Sequence, residues 1–242
     1  MTIATQLVEA KKMLTDVADN PLLEAEILLA HALQKSRSHL HAWPQNNLTA
    51  EEIQLFVSYL SRRCQREPIA YITGKREFWS LEFSVTTDTL IPRPETEVLV
   101  ESVMQMFANR AQLKLADLGT GSGAVAIALA HEYPAWEIFA TDIRKETIAI
   151  AKKNAETFCL NNISFYEGDW CDALPSADFD IIVSNPPYIA ETEWNTYAAG
   201  LAYEPKGALV AGKDGLDAIR AIAKSAKHYL KQDGCLMVEH GF

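Results

Sequence analysis

The chain has 242 residues, enough for one large or two small domains with a proper hydrophobic core and no need of disulfides or metals. Apolar residues make up 48% and charged residues 22%, which excludes a disordered or fibrous chain, and no stretch approaches the roughly 18 apolar residues of a membrane span. The formal charge is −10; residues 1–80 hold nine of each sign, so the whole excess falls in residues 81–242, and an acidic second part argues against non-specific nucleic-acid binding, which draws on Lys and Arg.

Residues 1–67 carry apolar side chains at helical spacing. Leu7, Ala10, Met13 and Leu14 form one stripe. Leu22, Leu23, Ala25, Ile27, Leu28 and Leu29 form a second, with Asn20 as N-cap and Pro21 at the first helical position. Thr49 is the expected cap of a third helix, with Glu51 and Glu52 in its first turn and Ile53, Phe56, Val57 and Leu60 on its buried face. His31, His39 and His41 have no carboxylate or thiol at ligand spacing and read as surface or capping residues. Cys64, Cys159, Cys171 and Cys235 lack CxxC spacing, so reduced thiols and no metal site are expected. The N-terminus has no basic segment followed by an apolar one, which points to the cytoplasm.

From Pro68 to Leu90 the period switches to two, and Phe78, Leu81, Phe83 and Val85 suggest a hairpin leading out of the bundle. Pro92 and Pro94 end it and start a helix over 95–107, with a domain boundary expected near residues 80–90. Strands are then expected over 113–118, 137–141, 163–166, 179–183 and 235–239, and helices over 124–132, 145–158 and 215–230. That alternation calls for an α/β fold, a doubly wound, mainly parallel sheet, behind a small helical bundle. Its ligands sit at the carboxyl ends of the strands.

The first of these strands runs into Asp117-Leu118-Gly119-Thr120-Gly121-Ser122-Gly123-Ala124. The glycines let backbone approach a ligand closely, and they also satisfy the dinucleotide fingerprint. Asp142, at the end of the next strand, is placed for ribose hydroxyls in either case. Asp117 favours a ligand with a sulfonium or ammonium cation and no phosphate there, namely S-adenosyl-L-methionine. After the third strand, Asp169 can accept the adenine amino group and Trp170 can cover the base.

Asn185-Pro186-Pro187-Tyr188 follows the fourth strand and is the most specific feature of the chain. Two prolines stiffen the loop and remove both N–H groups. The Asn185 side-chain oxygen and the Pro186 carbonyl remain as acceptors beside the Tyr188 ring, an arrangement suited to an –NH2 on a planar conjugated group.

These motifs together resemble the class I methyltransferases that modify adenine N6, cytosine N4 or glutamine amide nitrogen. Within that set the chain is similar to the peptide chain release factor N5-glutamine methyltransferases, the PrmC or HemK family. The likeness takes in Arg76-Glu77-Phe78-Trp79, Leu90-Ile91-Pro92-Arg93-Pro94-Glu95-Thr96-Glu97, Asp117 to Gly123, Asp169-Trp170, Ser184 to Tyr188 and Glu239-His240-Gly241. Arg93 and Glu97 are candidate wall residues of the cleft. The resemblance implies a Rossmann-like methyltransferase domain over 81–242 behind a substrate-recognition domain with its exit hairpin over 1–80. Family members continue past the fifth strand with a helix and an antiparallel strand pair, so the sheet is expected without its last strands.

By the same resemblance, Asp117, Gly119, Thr120, Gly121, Ser122, Gly123, Asp142, Asp169, Trp170 and Asn185 bind S-adenosyl-L-methionine, with S-adenosyl-L-homocysteine as product. Asn185, Pro186, Pro187 and Tyr188 bind the substrate, and Asn185, Pro186 and Tyr188 carry the transfer. The implied partner is a class 1 release factor, methylated on the glutamine of its Gly-Gly-Gln loop by a monomeric enzyme. Rival readings are a DNA adenine-N6 methyltransferase, which needs a basic target-recognition domain and base flipping, a non-enzymatic adaptor on the same fold, and a nicotinamide-dependent dehydrogenase. An Arg62, Arg63, Arg66, Lys75, Arg76 cluster is the expected docking patch.

Overall fold

The computed structural model describes residues 1–241, which divide into two compact units, the first over 1–74 and the second from residue 75 onward. The first is helical: α1 (Ile3–Leu14), α2 (Pro21–Leu33), α3 (Arg37–Ala42), α4 (Ala50–Cys64) and α5 (Ile69–Thr73). Local chemistry sets the helix starts. Asn20 Oδ1 accepts from Leu23 N at the head of α2, and Thr49 and Glu52 form a reciprocal capping box at the head of α4.

Ala10, Leu14, Leu28, Leu29, Phe56 and Leu60 form the core of this unit. Three residues placed in the apolar stripes, Met13, Leu22 and Val57, are instead exposed, while Ile3 and Gln6 complete the buried face of α1. The segment 69–73, expected in extended form, is helical, because the Pro68 carbonyl accepts from both Tyr71 N and Ile72 N and so starts a turn.

The second unit begins with the hairpin β1 (Lys75–Phe78) and β2 (Leu81–Ser84). Trp79 and Ser80 both have positive φ, 53° and 58°, the twist a two-residue hairpin turn needs. A 3-10 turn over Pro94–Thr96 precedes α6 (Glu97–Phe107), so that helix starts two residues later than expected. Then follow β3 (Lys114–Leu118), α7 (Ala124–Glu132), β4 (Glu137–Asp142), α8 (Lys145–Thr157), β5 (Ile163–Glu167) and β6 (Phe179–Ser184). The chain closes with α9 (Trp194–Leu201), α10 (Asp217–Ala226) and β7 (Leu230–Val238).

Three of these differ from expectation. The helix α10 stops at Ala226, and β7 starts at Leu230, where Leu230 pairs with Phe179 across an irregular register. The helix α9 lies in a stretch with no clear apolar period and buries none of its residues.

All five strands of the main sheet are parallel, in the order β5-β4-β3-β6-β7. Leu115, Ile138, Ile181 and Val183 on the sheet pack against Val125, Ile127 and Leu129 of α7 and Val100 and Val103 of α6. Phe139, Phe179 and Ile182 pack with Ile222 of α10 on a separate cluster. Helices thus cover both sides of the sheet and leave its strand ends open to ligand.

Candidate functional site

Strand order reverses at β3, and the crevice opens between the loops after β3 and β6. It holds a cleft of about 300 Å³. Asp117 is the penultimate residue of β3, Asp142 the last of β4, and Asn185 the first after β6, so all three face this one end of the sheet.

The loop after β3 supplies Gly119, Thr120, Gly121 and Ser122 to the cleft wall. Gly119 has φ +70°, and a Cβ on it would lie 3.1 Å from Trp170 Cζ3, so the indole rests against bare backbone. Thr120 N donates to Thr141 O at 2.8 Å, and Asn154 Nδ2 donates to Ser122 O at 2.9 Å, which ties the loop to β4 and α8. Gly123 is absent from the lining and forms the left-handed cap of α7.

Asp117 is buried and accepts a hydrogen bond from Thr120 Oγ1 at 2.6 Å. Loss of water pushes its carboxyl up to about 6, against the opposing effect of the Thr120 hydroxyl and the Ala126 N–H. Asp142 Oδ2 accepts from Gly121 N and Oδ1 from Arg144 N, each at 3.1 Å. Burial raises its pKa as well. Each oxygen keeps a second lone pair for a ligand. Asp169 and Trp170 stand on the same wall after β5.

On the other side of the cleft, Ser184 Oγ donates to Leu118 O at 2.7 Å, and Glu239 N donates to Ser184 O at 3.0 Å, which locks the ends of β3, β6 and β7 together. Asn185 Nδ2 donates to Thr96 Oγ1 at 2.9 Å. Asn185, Pro186 and Pro187 line both the main cleft and an adjoining cavity of about 140 Å³, whereas Tyr188 lines only the second. The three form a shared wall between two chambers. Among the described residues no backbone N–H reaches the Pro186 carbonyl. A Cβ on Gly241 would come 3.2 Å from Tyr188 Cδ2, so the chain after β7 runs close along that ring.

Several sequence expectations change here. Arg93 lines the cleft, held by the buried Glu204, but Glu97 does not: its Oε1 accepts from Trp79 N at 2.9 Å and braces the hairpin turn. The basic cluster is mostly consumed internally. Arg62 pairs with Glu67, Arg63 with Glu24, and Lys75 with Glu82, while Arg76 Nε donates to Pro92 O. His41 faces Glu26 at 3.4 Å, and among the described residues no group of His, Cys, Asp or Glu could hold a metal ion. No helix among them is long and apolar enough to cross a membrane. Sequence reasoning assigned no part to Thr96, Glu204 or Glu239, although all but Glu204 lie in segments that carry the resemblance.

This sheet order, with a glycine-rich turn after its first strand and an Asn-Pro-Pro-Tyr loop after its fourth, defines a class I methyltransferase. Residues 6–74 match the PrmC N-terminal domain family and residues 94–202 the methyltransferase small domain family. The chain is 48% identical to a release factor glutamine methyltransferase of Coxiella burnetii, over 96% of this chain and 83% of the relative. It is 43% identical to one of Shewanella oneidensis, over 99% of this chain and 84% of the relative. In fold it is similar to a SAM-dependent methyltransferase from Agrobacterium tumefaciens, at TM-score 0.50 and 18% identity over 69% of this chain and 51% of that one. The chain belongs to the release factor glutamine methyltransferase family.

Proposed function

We propose that this chain transfers a methyl group from S-adenosyl-L-methionine to the side-chain amide nitrogen of the glutamine in the Gly-Gly-Gln loop of a peptide chain release factor, releasing S-adenosyl-L-homocysteine. One observation carries the reading: Asn185 stands in the wall between two chambers with its Nδ2 committed to Thr96, which leaves Oδ1 as the acceptor.

The larger chamber fits the methyl donor by the chemistry of its groups. Asp142 has lone pairs for two ribose hydroxyls, and Asp169 with Trp170 suits an adenine. Asp117 puts a carboxyl where a pyrophosphate would be repelled and a cation favoured. When bound, the donor supplies an electrophilic methyl on a sulfonium.

The amide nitrogen is a feeble nucleophile, because its lone pair is delocalised into the carbonyl. Asn185 Oδ1 and the Pro186 carbonyl accept its two N–H bonds and hold it in line with the methyl, while Tyr188 covers the amide plane. These hydrogen bonds strengthen as the nitrogen acquires positive charge in the transition state. The nitrogen lone pair forms the new bond, and one N–H proton, made acidic by alkylation, leaves to water.

The DNA adenine reading is disfavoured by the acidic character of residues 81–242, where a basic target-recognition surface would be required. Incubation with methyl-labelled donor and, separately, release factor or duplex DNA decides the matter. Label on a release factor glutamine is the expected result; label in DNA alone, or in neither, overturns the reading.

A further inference from the structure

In the parallel register of β6 with β7, Ser184 lies opposite Val238, so the next residues along, Asn185 and Glu239, emerge side by side. From a different direction the 3-10 turn Pro94–Thr96 delivers Thr96, which is buried, against the Asn185 side chain. The Glu239 carboxyl faces both: burial raises its pKa, and Thr96 and Asn185 are the polar side chains that work against that by bonding to its anion. Its Oε2 is nevertheless buried with no hydrogen-bond partner. A buried carboxylate oxygen without a donor is costly, and such groups persist where function requires them.

We propose that Glu239 and Thr96 are a positioning pair that fixes the orientation of the Asn185 amide, so that Oδ1 and never Nδ2 meets the substrate nitrogen. The proposal rests on the methyl-transfer reading above and adds to it the means by which the acceptor is aimed. A primary amide has two orientations of almost equal shape, and a substrate –NH2 offers only donors, so one orientation is productive and the other opposes N–H to N–H.

A threonine hydroxyl cannot choose between them, because it donates as readily as it accepts. An ionised carboxylate can only accept. With Glu239 ionised, the Thr96 proton is drawn to the carboxylate, which leaves Oγ1 as an acceptor toward Asn185, and Asn185 must present Nδ2 to it. Direction therefore passes from the Glu239 charge to the amide both directly and through Thr96.

The decisive substitution is Glu239→Gln, close in shape but able to donate. A glutamine N–H given to Thr96 Oγ1 releases the threonine proton toward Asn185 Oδ1 and turns the amide round. At saturating donor we expect kcat to fall roughly 10²-fold, the size of loss seen when one transition-state hydrogen bond is removed. The KM for release factor and the donor dissociation constant should stay within about twofold, since neither contact is made by Glu239.

Thr96→Ser should keep most of the activity, while Thr96→Val, which loses the acceptor, should follow Glu239→Gln. Around Glu239 stand Glu95 on the 3-10 turn and Tyr188 on the loop after β6, with Arg93 facing Tyr188. The acidic limb of the wild-type kcat profile is expected to disappear in Glu239→Gln. A purely structural role would move thermal stability and both binding constants, not this limb.

Wild-type kcat in Glu239→Gln overturns the proposal, as does equal loss in Thr96→Ser and Thr96→Val. Should the wild type transfer no methyl to release factor, the functional reading fails by itself. The positioning pair is still decided by nuclear magnetic resonance of the Asn185 side-chain amide, assigned with Asn185→Ala. Slow Nδ2 proton exchange in the wild type that becomes fast in Glu239→Gln supports it, and equal exchange in both overturns it.

Discussion

The Thr120 hydroxyl donates to the buried Asp117 carboxyl at 2.6 Å, so the turn that follows β3 is closed over an acid rather than over a neutral group. One hydroxyl does not make up for the water lost, and the carboxyl rises from 3.8 to about 6. The folded chain therefore binds this proton more tightly than the unfolded chain does. Stability contributed by the group is fully present below the unfolded value and is lost as pH rises toward the folded one. At pH 7 the ionised buried acid costs ~3 kcal/mol relative to an ordinary aspartate. Asp117→Asn, which can still accept from Thr120, is expected to raise the melting temperature at pH 7 by several degrees and to leave it nearly unchanged at pH 4. A melting temperature that drops at pH 7 would show that the charge is compensated in the free protein.

The same carboxyl predicts how donor binding responds to pH. A cationic ligand near Asp117 favours its ionised form, so below about pH 6 binding must expel a proton. Affinity for S-adenosyl-L-methionine should be flat from pH 7 to 8 and should fall by up to roughly tenfold per pH unit below 6. Titration calorimetry in buffers of different ionisation enthalpy would detect the proton release. The Asp117→Asn variant should bind more weakly at pH 7 and keep only the weaker dependence that the raised Asp142 carboxyl supplies.

Gly119→Ala tests the contact between the turn and Trp170. The φ of +70° already disfavours a side chain, and the new Cβ would lie 3.1 Å from Trp170 Cζ3, so the indole must shift. A loss of ~1–2 kcal/mol in stability is expected from the backbone alone. Donor affinity should fall with it, because the displaced ring is the proposed cover of the adenine. Trp170 fluorescence that responds to donor equally in both proteins would separate the ring from the site.

Much of this site was legible because its parts are local. Buried strands of a parallel sheet read as apolar runs, so Ile181 to Val183 announces itself and β3 does too apart from Asp117, and the loops that follow them carry their chemistry in adjacent residues. The capping residues Asn20 and Thr49 are equally local. What failed was non-local. Glu97 braces Trp79 N and Glu204 holds Arg93 through tertiary contacts that no spacing rule reveals. The Arg62 to Arg76 cations looked like a patch only because their acidic partners, among them Glu24 and Glu82, lie elsewhere in the chain. Residues 69–73 form a short apolar run, for which helix and strand patterns are the same.

Asn185→Ala separates catalysis from binding. The variant loses the acceptor that meets a substrate N–H and leaves that donor buried and unsatisfied, worth ~1–3 kcal/mol in an ordinary site and more where charge develops. A fall in kcat of roughly 10² to 10³-fold is expected, with donor affinity changed only a few fold. Near-normal turnover would remove Asn185 from the reaction.

The helical unit is the proposed reader of the protein substrate. Every residue with a chemical part in the transfer follows position 88, whereas a single glutamine side chain presents too little surface to be chosen among the many in a cell. Specificity must then come from contacts remote from the nitrogen, and a standard interface of ~800 Å² per partner is of the size a bundle of this kind can offer. Those contacts cannot depend on the Arg62 to Arg76 cations alone, since most of them are already paired, so apolar and neutral surface such as the exposed Val8, Leu55 and Trp43 is the better candidate. Replacing all three with serine in the 242-residue chain should raise KM for intact release factor. The kcat on a short Gly-Gly-Gln peptide and the affinity for donor should stay at wild-type values. If KM for the intact factor is unchanged in the triple variant, this surface is not the reader; if turnover of the peptide falls as well, the helical unit acts on the chemistry and the division of labour is wrong.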